Sequence, residues 1–266
     1  MQKKKNNSTA VQLGLMAVCF LLILALAFFL GKINRKNKPD YENGKLVQLE
    51  VPRDDATVVV FETTKGTFKA VIYEDKVPEF CKYFKGLVKD GYYDGTYVFG
   101  VEKGAYFLGG SKAPDGVDTS DTDSTTMTKE LSADLWPLRG ALISYGGRDN
   151  KFFSSTLSGS RLMFVNSIEF TDEIVSQLDA VEGNKDVNEA FKERGGVPNF
   201  SQQYTVFGQV YDGFDTYDKI CDAGVGDSSN IVPTEEIKLT KVYLSTYAEN
   251  KNDSFFNSSQ SSSQSK

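Results

Sequence analysis

A chain of 266 residues with 30 lysines and arginines against 36 aspartates and glutamates has a net charge of −6. It lacks the basic surplus that phosphate binding needs, so nucleic acid is excluded as a partner. It has no histidine, which removes Ser-His-Asp and Cys-His nucleophile schemes and most zinc sites together, and no metal or cofactor is expected.

Residues 1–10 carry Lys3, Lys4 and Lys5 and read as a cytoplasmic N-terminus. The run from Val11 to Leu30 holds 20 residues without charge or proline. At about 1.5 Å per helical residue it matches a hydrocarbon core of roughly 30 Å, so residues 11–31 read as a transmembrane helix. A cleaved signal peptide is the competing reading, but signal cores are shorter, and Phe28, Phe29 and Leu30 continue the run past Ala25-Leu26-Ala27. Lys32, Arg35, Lys36 and Lys38 follow the segment, so charge counting alone leaves its orientation open. The basic cluster ahead of the first apolar run favours a single-pass protein of the cell membrane with its domain outside the cytoplasm.

Residues 32–55 are charged, carry Asn, Gly and Pro and lack periodicity, which predicts a juxtamembrane linker. A domain over 56–248 follows. Two β-branched and aromatic runs, from Thr57 to Thr63 and from Thr67 to Tyr73, are joined by Thr64-Lys65-Gly66 as a hairpin. From Pro78 the spacing turns helical, with Phe80, Tyr83, Phe84, Leu87 and Val88 on one face and Gly91 beyond the end. Short strands are predicted at 96–101, 105–108, 141–145, 162–166, 204–210 and 237–244, so the fold class is mainly β, a closed barrel or a sandwich.

Two insertions break this rhythm. Between Ser111 and Thr128 lie Asp115, Asp118, Asp121 and Asp123; the glycine and glutamate of a calcium loop are missing at their offsets, and a solvated loop is expected. The second, at about 171–200, carries Ile174, Leu178 and Val181 and then Val187, Ala190 and Phe191 before Gly195-Gly196, a helical excursion closed by a glycine cap. Residues 249–266 are rich in Ser, Asn and Gln and are expected to be disordered. Cys19 lies in the apolar run, whereas Cys81 and Cys221 occupy apolar helical positions, where free buried thiols and a disulfide are both open.

Several stretches together resemble the cyclophilins, in the bacterial form with a helical insertion before the penultimate strand. They are Thr63-Thr64-Lys65-Gly66-Thr67 with Pro78 and Phe84, Gly91-Tyr92-Tyr93-Asp94-Gly95-Thr96, Gly109-Gly110, Arg139-Gly140-Ala141-Leu142, Gly159-Ser160, Gly195-Gly196-Val197-Pro198, and Thr205-Val206-Phe207-Gly208-Gln209-Val210 followed by Asp218-Lys219-Ile220. The resemblance runs from about Val58 to Leu244. It implies a closed eight-stranded antiparallel barrel capped by two helices and a peptidyl-prolyl cis-trans isomerase activity. The implied partners are proline-containing segments of exported proteins, bound extended on the outer face with proline in an apolar pocket.

The resemblance also shows where this chain departs. Gly100 stands at the position of the family's catalytic arginine, and Ala105 and Leu108 replace a pocket phenylalanine and glutamine. Met163 replaces another pocket phenylalanine, Tyr145 follows Arg139-Gly140 where the family has Met-Ala-Asn, Asn199-Phe200 replaces a Trp-Leu pair, and Tyr204 replaces a histidine. With Phe99, these residues make the candidate peptide groove. A preorganised donor is worth about a hundred- to a thousand-fold in rate, so its loss predicts weak activity or none. Arg161, at a groove-facing glutamine position, is a candidate substitute donor; the alternative is an arginine facing solvent or an acidic loop. The aromatics Phe99, Tyr106, Tyr145, Phe200 and Tyr204 either fill the old pocket or line a new one. Three functions stay open: a weak prolyl isomerase, an inactive peptide-binding or chaperone module on the cell surface, and a structural surface protein.

Overall fold

The computed structural model describes residues 39–117, 126–146, 157–181, 184–226 and 231–258, and the folded unit begins at Asp40. The expected transmembrane segment at 11–31 lies outside the described residues. Among those described, no helix is long and apolar enough to cross a membrane.

Eight strands close into an antiparallel barrel, because β-branched and aromatic residues alternate with residues that face the other side. They are β1 (Thr57–Thr63), β2 (Gly66–Ile72), β3 (Thr96–Glu102), β4 (Tyr106–Ser111), β6 (Ala141–Tyr145), β8 (Arg161–Val165), β9 (Thr205–Asp212) and β10 (Lys238–Thr246). Their order around the barrel is β1, β10, β3, β4, β8, β6, β9 and β2, returning to β1. Each predicted strand is present, with ends moved by up to three residues. Two further strands too short to show a period, β5 (Met127–Thr128) and β7 (Leu157–Ser158), pair outside the barrel.

The interior is packed with rings. Phe61 lies 4.9 Å from Phe68, and Phe107 stacks on Phe164 at 4.4 Å. Helix α1 (Pro78–Lys89) covers one opening with Phe80 and Phe84, which meet Phe207 at 4.8 and 4.9 Å. Proline at its first turn, where its missing N–H costs nothing, starts this helix. Helix α4 (Phe214–Cys221) sends Tyr217 inward, where its hydroxyl donates to the Val165 carbonyl at 2.6 Å and its ring lies 5.1 Å from Phe107. The two capping helices that the resemblance implies are these.

The expected helical insertion is a pair: α2 (Asp172–Ala180), capped by Thr171, and α3 (Lys185–Arg194), capped by Asn184. Gly195 follows α3 at φ 76°, the left-handed geometry that glycine adopts without strain. Val187, Ala190 and Phe191 of α3 pack with Trp136 and Leu138 as a satellite core beside the barrel.

Two expectations are corrected. Residues 41–49, placed in the linker of 32–55, form a strap packed on the domain: Tyr41, Leu46 and Leu49 join the satellite core, and Val47 packs on the barrel. Gln48 is wholly buried; its Oε1 accepts from the Trp136 N–H at 2.6 Å, and its Nε2 donates to the Trp136 carbonyl and to Gln209 Oε1, both at 2.9 Å. One buried amide with three partners carries no periodicity, which is why the segment reads as a spacer. The tail expected to be disordered from 249 is also held as far as 258. Helix α5 (Ser254–Asn257) buries Phe256 against Tyr211 and Tyr247, and Phe255 stacks on Phe214 at 5.6 Å. Two phenylalanines bury enough apolar surface to offset the ordering of a short segment. Residues 259–266 lie outside the description.

Cys81 and Cys221 are free and buried, and burial pushes each thiol up to about 12. Neither is a nucleophile near neutral pH. A thiol reagent at mildly alkaline pH is expected to leave both unlabelled in the native protein and to label both in denaturant, as read by peptide mass spectrometry. Rapid native labelling of either would contradict their placement.

Candidate functional site

Strand alternation sends Phe107, Phe164 and Leu142 into the barrel. Their neighbours therefore make a row on the outer face: Gly100 pairs with Leu108, Leu108 with Met163, and Met163 with Ile143. This row runs across β3, β4, β8 and β6. It brings together three of the residues expected in the groove, Leu108, Met163 and the arginine position Gly100.

The row is covered. Met163 is 3% exposed and Leu108 7%, too little for an incoming ring to touch them without rearrangement. Over Gly100 lies Ile231, from the loop before β10, whose carbonyl accepts from the Val101 N–H at 2.7 Å. A Cβ added at Gly100 would stand 2.9 Å from Ile231 Cδ1 and 3.3 Å from Leu108 Cδ1. The position is thus short of a side chain and also roofed by two apolar ones. Glycine fits without disturbance, whereas any larger residue has to push the end of the Ile231 side chain aside.

Arg161 is partly buried and meets the acidic loop of residues 111–128, through that loop's backbone at Gly116. Its guanidinium lies 5.0 Å from the centre of the Phe99 ring, and Nη1 donates to the Gly116 carbonyl. Gly116, at φ 75°, rests on that ring; a Cβ there would be 2.4 Å from Phe99 Cδ2. Arg161 and Phe99 together therefore clamp the loop that leaves β4. One face of the guanidinium and one N–H are spent on the clamp, which explains why Phe99 is only 7% exposed.

The half-buried aromatics gather beside the row. Phe200, in a 3-10 turn at Pro198–Phe200, lies 5.8 Å from Tyr106 and 5.5 Å from Tyr204, ring centre to ring centre. Burial, and then the charge of Glu102 and the neighbouring hydroxyls of Tyr145 and Tyr204, raise the Tyr106 phenol above its ordinary value. Tyr106 stays protonated, and its hydroxyl is a donor. Tyr145 pairs in register with Arg161 at the edge of the face. Ala105 closes the β3–β4 turn and packs at the rim of the core. Asn199 is exposed and lines a separate cavity with Trp136, so it does not join the aromatic cluster.

Residues 58–148 match the family model for cyclophilin type peptidyl-prolyl cis-trans isomerases. A Staphylococcus epidermidis protein named as a candidate peptidyl-prolyl cis-trans isomerase is 29% identical over 174 residues, covering 65% of this chain and 85% of its own length. A Streptococcus pyogenes protein named as a candidate bifunctional phosphatase/peptidyl-prolyl cis-trans isomerase is 27% identical over 197 residues, 73% of this chain and 40% of its own. The crystal structure of a Cryptosporidium parvum cyclophilin type peptidyl-prolyl cis-trans isomerase superposes with a TM-score of 0.54 at 19% identity, over 72% of this chain and 98% of that one. The chain carries a cyclophilin-type domain.

What this cyclophilin-type domain offers a ligand is an aromatic face with neutral donors. Rotation about an X-Pro bond is slowed by amide resonance, with a barrier of about 18–20 kcal/mol, and is speeded by desolvating the amide and donating a hydrogen bond that weakens its double-bond character. Tyr106 and its neighbours supply an apolar surface. Among the described residues Arg161 is held in its clamp, and the row at Gly100 is covered by Ile231 and Leu108. Among the described residues no cluster of metal-ligating side chains occurs; Asp118, Asp121 and Asp123 lie outside them. Ile231 and Gly116 complete the site and have no signal in the sequence, because both act from loops without periodicity.

Proposed function

We propose that this chain is a membrane-tethered cyclophilin-type domain that holds proline-containing segments of exported proteins on its aromatic outer face and isomerises them slowly. The observation that carries the low turnover is Gly100 beneath Ile231, where the resemblance places the catalytic arginine. Loss of one preorganised donor removes about 2.7–4 kcal/mol of transition-state stabilisation, while aromatic surface alone still binds an extended peptide. The tether rests on the uncharged run at 11–31, and the location outside the cytoplasm rests on the lysines ahead of it. A Cryptosporidium parvum cyclophilin structure determined in the presence of the dipeptide Ala-Pro, 20% identical with a TM-score of 0.53, makes Ala-Pro peptides the natural probes.

The test uses the full chain in phosphatidylcholine vesicles, a labelled Ala-Ala-Pro-Ala peptide for binding by anisotropy, and an isomerisation assay on the same sequence. Saturable binding with a rate near the uncatalysed one is expected, unchanged by Arg161→Ala. Fast turnover that disappears in Arg161→Ala would make that arginine the donor and overturn the binding-first reading. Protease shaving of intact cells is expected to remove the domain; a protected domain would refute its external location.

A further inference from the structure

Helix α2 is amphipathic, yet none of its residues is buried. Ile174, Leu178 and, just past its end, Val181 fall on one face, and Val181 is 58% exposed. A helix of nine residues has little stability of its own and ordinarily persists by packing such a stripe on a core. Here the stripe faces a cavity of about 490 Å³, with Trp136, Val187 and Phe191 among its other walls. That volume lies within the range of roughly 300–1,000 Å³ typical of ligand pockets.

Asn184 and Asn188 at the wall of this apolar space are bonded to Gly44, Val187 and Leu178, but other polar groups around it are uncommitted. Gln177, Asn199, Ser201 and Gln202 line it, and none of their side chains has a hydrogen-bond partner among the described residues; the buried Tyr41 hydroxyl at its wall has none either. Amides and hydroxyls ringing an apolar floor match an extended peptide, whose backbone needs donors and acceptors while one side chain goes inside. The loop carrying Asn199, Ser201 and Gln202 also carries Phe200 and Tyr204, so one loop serves the aromatic face with some side chains and the cavity with others. Within it, Gln202 is the one non-glycine residue at positive φ, 63°, among those described. Backbone held in that region is found where surrounding structure or function demands it.

We propose that this cavity is a second subsite for the client chain, receiving an aliphatic or aromatic side chain of the same extended peptide whose proline lies against Tyr106, Phe200 and Tyr204. The proposal rests on the peptide-binding reading given above and extends it to a site built by the helical insertion. Helix α2 packs on the satellite core through Leu178, and occupancy would add to that contact, so binding and ordering of the insertion are coupled.

Trp136, the chain's single tryptophan, lines the cavity and reports on it directly. The experiment titrates the full chain in phosphatidylcholine vesicles with Ala-Ala-Pro-Ala and with longer peptides that place one leucine three to seven residues before or after the proline, following Trp136 emission and the anisotropy of the labelled peptides. One spacing is expected to shift Trp136 emission and to bind about tenfold tighter than the short peptide. Val181→Glu, at an exposed position that tolerates the change, should abolish that gain and leave the short peptide's affinity as it was.

Equal affinity for all peptides with Trp136 emission unmoved would overturn the second subsite while leaving the proline face standing. Absence of binding by any peptide would overturn the proline face and the subsite with it. An emission shift that depends on protein concentration without peptide would mean that a second copy fills the cavity, and would also overturn the proposal.

Discussion

Gly100→Arg combined with Ile231→Ala is expected to raise isomerisation of an Ala-Pro peptide by about ten- to a hundredfold over the parent. The ceiling for restoring one preorganised donor is about a thousandfold. Leu108 and Met163 still occupy positions where the family resemblance places a glutamine and a phenylalanine, so the gain should fall short of that ceiling. The single variant Gly100→Arg separates the missing side chain from the roof above it. Its Cβ would meet Ile231 Cδ1 at 2.9 Å, so the arginine must displace the isoleucine or bend away from the face. Overpacking of this kind typically costs about 1–3 kcal/mol, and the single variant should be less stable and little more active than the parent. Isomerisation rates and denaturation midpoints of the parent, both single variants and the double variant decide the matter. A double variant that binds the peptide but gains no rate would show that the absent donor is not what limits turnover.

Gln48→Ala should destabilise the domain by about 4 kcal/mol. The substitution leaves the Trp136 N–H, the Trp136 carbonyl and Gln209 Oε1 without the amide that they bond, and each buried orphan costs about 1–3 kcal/mol. Water entering the vacated space offsets part of the sum. Lys45, whose N–H donates to Asp134 Oδ1 at 2.8 Å, and Gly44, whose carbonyl accepts from Asn184 at 2.7 Å, then hold the strap less well. Urea unfolding followed by Trp136 emission measures the loss, and a lower midpoint at unchanged slope is expected. A change below about 1 kcal/mol would mean that the strap is a surface ornament and that the domain starts at β1.

The barrel was legible in the sequence because its evidence is periodic and repeated. Alternation in Thr67 to Ile72, helical spacing from Phe80 to Val88 and the glycine after α3 each express a local rule that survives packing. The strap was not legible, since what holds it is a buried glutamine whose partners lie far along the chain and a few apolar residues with no period. The tail misled in the same way: its composition is that of a disordered segment, and two adjacent rings override composition. At the site, the family resemblance located the vacancy at Gly100 but not the reason that a glycine suits it. Ile231 sits in a loop where no pattern predicts contact with β3. The resemblance also set Asn199 in the groove beside Phe200, whereas successive residues of the turn point to different surfaces, one to the aromatic cluster and the other to the cavity beneath α2. Arg161 was singled out for its charge; its planar face, which stacks on Phe99, decides its use.

If the uncharged run at 11–31 is the anchor proposed above, the strap also sets the length of its leash. With the chain already fastened at Tyr41, a span ending at residue 31 leaves about nine residues between bilayer and domain, a fully extended reach of roughly 30 Å at about 3.5 Å per residue. A free linker through residue 55 would have allowed about 24 residues and a reach of roughly 80 Å. The accessible volume shrinks with the cube of that length, by on the order of twentyfold, so on the proposed tether a short leash would raise the domain's local concentration at the bilayer correspondingly. On the proposed tether, such a domain would work close to the bilayer rather than patrolling the space beyond it.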